Sequence, residues 1–288
     1  MNVNCSRLLV LGAILIAVLG LPFSADAEEK EKEKEREKET YYLSLGDSLA
    51  AGFQPNVPPP GPWTHGYADQ LFTALHAENP SLRLKKLGCY TDETTLTMMT
   101  FGACSSALYH GGSQLHEAVD FLQDHTHSVA LITIDIGAND VLPCSFPTLD
   151  VGCLANALMG IKQNLPKILQ ALHKAAPNVP IVGKNYYDPL LALYLIDQSF
   201  ATATVPVFDQ FNDTLERIYR AAGSPVANVE GVFSTTHFTP LVVSPFGPIP
   251  LNVERICQWT WECTPSSDIH PNQEGYHEIT RAFLKVLP

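Results

Sequence analysis

The chain has 288 residues, 45% hydrophobic and 17% charged, with 22 Pro and 18 Gly. That composition excludes a wholly disordered chain and a collagen-like repeat, and the length admits one α/β domain or two smaller ones. A formal net charge of −12, with His neutral, argues against nucleic acid and against an anionic membrane surface as partners, since both call for clustered Lys and Arg.

Residues 1–7 carry Arg7 and no acid, Leu8–Leu21 is an unbroken apolar run, and Ser24-Ala25-Asp26-Ala27 follows Pro22. These are the parts of a secretory signal peptide, with cleavage expected after Ala27. The run is short for a membrane span, which needs roughly 20 apolar residues. No stable membrane insertion is expected after cleavage, and a secreted or periplasmic location follows. Cys5 precedes the apolar run, which disfavours a lipoprotein. Residues 28–39 (EEKEKEKEREKE) cannot bury in a core, and their i,i+4 neighbours are mostly like charges. They read as a charged, flexible spacer. Residues 40–288 are then one domain.

Strand and helix patterns alternate through that domain. Thr40–Leu45 is strand-like and ends at Gly46-Asp47. Tyr67–Ala77 has helical spacing, Leu82–Leu87 alternates as a strand, and Leu115–Asp124 is helical. Ser128–Ile136 is β-branched and nearly all apolar, as a buried central strand should be. Leu154–Ala175 is a long helix despite Pro166. Val179–Tyr186 is a strand, Val207–Ala222 a helix, Pro225–Val232 a short strand and Gln273–Val286 a closing helix. Alternation of this kind implies a parallel sheet covered on both faces, with ligands bound outside the carboxyl ends of its strands. Asp188–Pro206 and His237–Pro265 break the alternation and read as flaps over a site.

Six cysteines remain after signal removal, an even number in an exported protein, which suggests disulfides. Of the 15 possible pairings, the sequential one closes short local loops and is the expected one: Cys89–Cys104, Cys144–Cys153 and Cys257–Cys263. Neither C-x-x-C nor H-E-x-x-H occurs, so no metal is expected.

Three motifs carry chemistry. Ser48 follows the first strand in LSLGDSLAAGF, where a serine is exposed at the sheet's carboxyl edge and a helix would begin; a simple helix cap is the alternative. No G-x-S-x-G occurs, so a nucleophile elbow of the α/β-hydrolase kind is not supported. Asn139 follows the central strand in TIDIGANDVLPC and can donate a side-chain N–H to an oxyanion, or merely close an Asx turn. His270, in PSSDIHPNQEGY, can accept a serine proton near neutral pH, with Asp268 two residues earlier to orient it.

As an ordered set, these motifs resemble the SGNH hydrolases, also called the GDSL esterase/lipase family, over roughly Tyr41 to Leu287. The stretches GCYTDETT, ITIDIGAND, YYDP and DIHPN look like its secreted bacterial, disulfide-containing branch. The resemblance implies a flavodoxin-like three-layer α/β/α sandwich with a parallel sheet of about five strands. It also implies hydrolysis of carboxylic esters through an acyl-enzyme, without a cofactor. Ser48 matches the nucleophile, His270 the general base and Asp268 its orienting acid. Asn139 and the backbone N–H of Ser48 match the oxyanion hole.

Two departures stand out. The second motif lacks the family's glycine, and Asp92 is the candidate for that backbone donor. The acid also stands two residues before the His, where the family often has three. The apolar stretches Asp188–Pro206 and His237–Pro250 favour a lipid or acyl ester as a small-molecule substrate. A carbohydrate O-acetylesterase is the runner-up, and a non-catalytic secreted binding module or a peptidase using the same dyad are the rivals. A monomer is expected.

Overall fold

Five runs rich in β-branched and aliphatic residues pair in parallel: β1 Thr40–Gly46, β2 Leu82–Lys86, β3 Val129–Asp135, β4 Ile181–Lys184 and β5 Val226–Ala227. Their spatial order is β2-β1-β3-β4-β5. The computed structural model describes residues 39–59, 61, 63–110 and 112–287, all within the compact unit Glu39–Pro288. The expected signal peptide (1–27) and the spacer up to Lys38 lie outside the described residues. Glu39, the spacer's last residue, accepts a hydrogen bond from the Tyr41 hydroxyl at 2.9 Å and pairs with Arg83 at 3.2 Å.

Ten α-helices are described: α1 Ser48–Ala51, α2 Tyr67–Glu78, α3 Ser105–Leu108, α4 Gln114–Asp124, α5 Ala138–Ser145, α6 Val151–Ala175, α7 Gln198–Ala221, α8 Val229–Phe233, α9 Leu251–Trp259 and α10 Gln273–Leu284. Side chains of Ser113, Asp150, Asp197 and Asn272 cap α4, α6, α7 and α10 by accepting from free N–H groups of the first turn. Helices α2 and α10 pack together, with the Tyr67 and Phe283 rings stacked 4.8 Å apart, and α4, α6 and α7 form the other layer. Between them β3 is buried at every position except Ala130. The result is a three-layer α/β/α sandwich.

Proline is a weaker breaker here than its local penalty suggests. Helix α6 runs through Pro166 and α7 through Pro206. A helix-interior proline costs about 3 kcal/mol, whereas burying one aliphatic side chain contributes about 1.5–3 kcal/mol. Helix α6 alone buries Leu154, Leu158, Ile161, Leu165, Ile168, Leu169 and Leu172. Helix α7 therefore begins at Gln198, not Val207.

The flap expected at Asp188–Pro206 is a 3₁₀ helix, Pro189–Leu195, followed by the first turns of α7. Leu190 and Leu191 are buried there while Ile196 is exposed, so only the first turn of this segment is core. The strand expected at Pro225–Val232 shortens to two residues, because Asn228 caps α8 by accepting from the Gly231 N–H. His237–Pro265 contains the hairpin β6 Leu241–Ser244 and β7 Gly247–Pro250, then α9, then β8 Thr260–Trp261. Strand β8 pairs antiparallel with β9 Asp268–Pro271. Disulfides join Cys89 to Cys104, Cys144 to Cys153 and Cys257 to Cys263. Among the described residues no helix is long and apolar enough to cross a membrane.

In this strand order the chain leaves β1 in one direction toward β2 and returns past it to β3. The crevice outside the carboxyl ends of β1 and β3 is thus the topological switch point, where such sheets bind ligands. Gly46 and Asp135, the last residues of these strands, are register partners.

Candidate active site

The chain turns sharply after β1. Gly46 has φ +142°, and a Cβ there would lie 1.9 Å from Asp135 Oδ1, so only glycine fits. Gln114 satisfies both backbone groups of Gly46, accepting from its N–H at 2.6 Å and donating to its carbonyl at 2.9 Å. Asp47 then caps α1 by accepting from the Leu49 N–H at 2.9 Å. Its own N–H donates to Asp135 Oδ1 at 3.0 Å. Ser48 is the first residue of α1 and is half-buried.

Beneath this turn lies a buried ionisable cluster. Lys184, at the end of β4, has its Nζ 3.9 Å from Asp135 Oδ2 and 3.3 Å from the Tyr186 ring centre. The Tyr186 hydroxyl donates to Asp47 Oδ2 at 2.8 Å. Lys184 and Asp135 are 0% exposed and Asp47 is 1% exposed. Burial pushes the Asp135 carboxyl well up, reinforced by the Asp47 charge and opposed by Lys184. Burial likewise lowers Lys184, against the pull of both aspartates.

His270 comes from the far end of the chain on β9. Its Nε2 is 2.7 Å from Ser48 Oγ, and its Nδ1 is 2.7 Å from Asp268 Oδ1. Burial pushes the Asp268 carboxyl up, but its hydrogen bonds to His270 and the histidine charge outweigh that, and the net shift is downward. Asp268 is therefore an ionised acceptor near neutral pH. It holds the proton of a neutral imidazole on Nδ1, leaving the Nε2 lone pair toward the serine. The two-residue spacing suffices because β9 bends the acid back: Asp268 Oδ1 also accepts the His270 backbone N–H at 2.9 Å.

Asn139 opens α5 just after Gly137, whose φ of +119° and packing against Phe211 favour glycine. One Asn139 side-chain N–H donates to the Glu93 carbonyl at 3.0 Å. An amide carries two such donors, so the second is available at the cavity that Asn139 lines. The next residue, Asp140, accepts from the Thr95 N–H at 2.9 Å and the Thr95 hydroxyl at 2.8 Å. These bonds tie the loop carrying Asp92 to α5. Asp92 itself is exposed and does not line the cavity. The structure brings together Ser48, His270, Asp268 and Asn139; the Asp92 side chain is exposed, and the residue after it, Glu93, meets Asn139.

A cavity opens at Ser48. Its apolar walls include Leu49, Leu142, Pro189, Phe208 and Ile269.

Several supporting residues were not expected from sequence. Gln54 donates to the Pro271 carbonyl at 2.7 Å and accepts from Trp261 Nε1 at 3.1 Å. Tyr187 donates to the Ile269 carbonyl at 2.7 Å, and the Phe53 ring packs 4.5 Å from the His270 ring. Only the pair Tyr186-Tyr187, within YYDP, carried a sequence signal. Among the described residues, Cys89, Glu93 and Cys104 lie close enough together to suggest a metal site. Both sulfurs are in a disulfide, so neither offers the thiolate that a metal needs.

Comparison with known proteins bears on the family and the fold. The profile of the GDSL-like lipase/acylhydrolase family matches residues 44–278. An extracellular lipase from Streptomyces rimosus is similar at 17% identity and TM-score 0.56, covering 86% of this chain and 100% of its own. The lipase Lip_vut3 from a goat rumen metagenome is similar at 15% identity and TM-score 0.53, covering 85% and 96%. Phospholipase A1 from Streptomyces albidoflavus is similar at 14% identity and TM-score 0.50, covering 86% and 100%. At these identities the likeness is one of fold. A search of curated proteins returned no match.

Proposed function

The chain belongs to the GDSL-like lipase/acylhydrolase family, and from that premise we propose that it is an exported serine hydrolase that cleaves acyl esters through an acyl-enzyme. The observation that carries this reading is the hydrogen-bonded chain Ser48–His270–Asp268, with both links at 2.7 Å, at the mouth of an apolar cavity. His270 Nε2 takes the hydroxyl proton as Ser48 Oγ attacks the ester carbonyl carbon. The Asn139 side chain and the Ser48 backbone N–H donate to the resulting oxyanion. The C–O bond to the alcohol breaks, the leaving oxygen receives the proton from His270, and the acyl group remains on Ser48. A water then attacks the acyl-enzyme, giving its proton to His270, and the acid leaves as Ser48 regains it.

Apolar cavity walls support an acyl chain in preference to a sugar. The apolar run before Ala27 and the three disulfides support export. The test is hydrolysis of p-nitrophenyl esters from acetate to palmitate by the exported protein beside its Ser48→Ala variant. Turnover that falls by three or more orders of magnitude in the variant is expected. A strict acetate preference would replace the lipid-ester reading with an O-acetylesterase, and a folded wild type inert on every ester would overturn serine hydrolysis.

A further inference from the structure

The hairpin β6–β7 carries an exposed apolar face in an uncharged stretch of an acidic chain. From Gly231 to Val253 the sequence has no Asp, Glu, Lys or Arg, although the chain as a whole carries a net charge of −12. Within that stretch, one face of the hairpin is apolar and bare. Leu241 is 63% exposed and Val243 92% exposed, and their spacing of two puts them on the same face. Val243 is opposite the exposed Pro248, and Phe246 at the turn is 52% exposed. The opposite face is anchored through the buried Ile249, the partner of Val242; on the bare face burial begins only at Pro250, the partner of Leu241 at the hairpin's base, where the hairpin packs on α9. Four-residue strands and the prolines Pro248 and Pro250 guard the hairpin against strand pairing, but no charge guards its exposed apolar face.

We propose that this hairpin is an interfacial anchor that adsorbs the protein onto an electrically neutral lipid surface. Three observations select that occupant. First, the bare face consists of Leu241, Val243, Phe246 and Pro248, far fewer than the roughly 20–30 residues a side of a standard protein interface. Second, it offers no charged rim with which to orient a protein partner. Aliphatic side chains beside an aromatic at a turn suit shallow insertion at a headgroup boundary. Third, the acidic net charge repels anionic headgroups and leaves neutral or zwitterionic ones. The anchor is also continuous with the site. Helix α9 packs on the 3₁₀ helix whose Pro189 lines the cavity, and Phe238, just before the hairpin, meets Tyr194 of that 3₁₀ helix at 6.0 Å. The inference rests on the acyl-ester reading for its purpose, since the substrate would then be met in an aggregate, but adsorption is measured without turnover.

The experiment is co-sedimentation of the processed, exported protein with phosphatidylcholine vesicles, comparing the wild type with Val243→Asp/Phe246→Asp in the same preparation. Both positions are exposed, so the variant should keep its thermal midpoint and its rate on soluble p-nitrophenyl butyrate. Its partition onto vesicles should fall at least tenfold, and Val243→Ser, which adds no charge, should show a smaller loss. Phosphatidylserine added to the vesicles should weaken wild-type binding. A wild type that stays in the supernatant, or a double variant that sediments equally well, would overturn the proposal. So would a wild type that elutes as a dimer and a variant that elutes as a monomer, because the face would then serve self-association. Failure on butyrate by a vesicle-bound wild type would count against the hydrolase reading and leave the anchor standing.

Discussion

The serine edge and the histidine edge of the site are built on different physical terms. Ser48 stands above a cluster in which Asp47, Asp135 and Lys184 are at most 1% exposed, on a turn whose geometry the two central strands dictate. His270 and Asp268 have side chains 14% and 24% exposed and sit on a two-stranded ribbon outside the main sheet. That ribbon is held by individual ties: Gln54 to Pro271 and Trp261, Tyr187 to Ile269, and the Cys257–Cys263 disulfide beside β8. The comparison teaches that the two edges should fail differently. Damage to the histidine edge should cost catalysis while the fold survives, and damage beneath the serine should cost the fold first.

The largest expected effect tests the histidine edge. Asp268→Asn keeps the shape but replaces an ionised acceptor with an amide able to favour the wrong imidazole tautomer. By analogy with the handling of histidine in serine-protease triads, kcat/KM should fall by about 10⁴, with the urea midpoint nearly unchanged. Equal losses of activity and stability would erase the distinction between the edges. Next is the serine edge. Lys184→Met removes the cation from between two buried carboxyl groups at nearly constant volume, and breaking such a pair costs about 3–5 kcal/mol. The size of the loss depends on pH. Without Lys184 the folded-state pKa of Asp135 rises further above its unfolded value, so the loss grows as pH increases and shrinks in acid. Urea unfolding at two pH values measures this, and adding Asp135→Asn should restore part of the loss. The folded fraction of the single variant should keep kcat within a few-fold.

How much of this was legible in the sequence follows the same division. The strands, the parallel sheet and the places of Ser48, Asn139 and His270 were readable because apolar periodicity and short motifs are local. The family resemblance supplied their roles. Unreadable were contacts across long separations. Lys184 with Asp135, Gln54 with Trp261 and Gln114 with Gly46 are ordinary polar residues until the fold juxtaposes them. Helix α7 starts at Gln198 and runs through Pro206, ahead of the expected Val207, because the buried face of Ala201, Thr204 and Phe208 decides the matter. Asp92 was placed by alignment to a glycine-bearing motif. A loop position matched to a motif names the residue but not the direction of its backbone N–H, which depends on turns that carry no periodic signal.

The smallest effect sharpens the comparison most, because it separates charge from geometry at the histidine edge. Glu262, next to β8 Trp261, has its carboxyl pushed up to about 7, by burial first and by the Asp268 charge second, against the pull of His270. Such a group binds its proton more tightly in the folded state than its ordinary value of 4.5. Its stabilising contribution is therefore complete below about pH 4.5 and lost as pH rises through about 7. Glu262→Gln removes that loss, so the variant should match the wild type in acid and exceed it in thermal midpoint at pH 8. A variant destabilised equally at both pH values would mean that Glu262 props the ribbon mechanically, and that the exposed edge, like the buried one, depends on packing more than on charge.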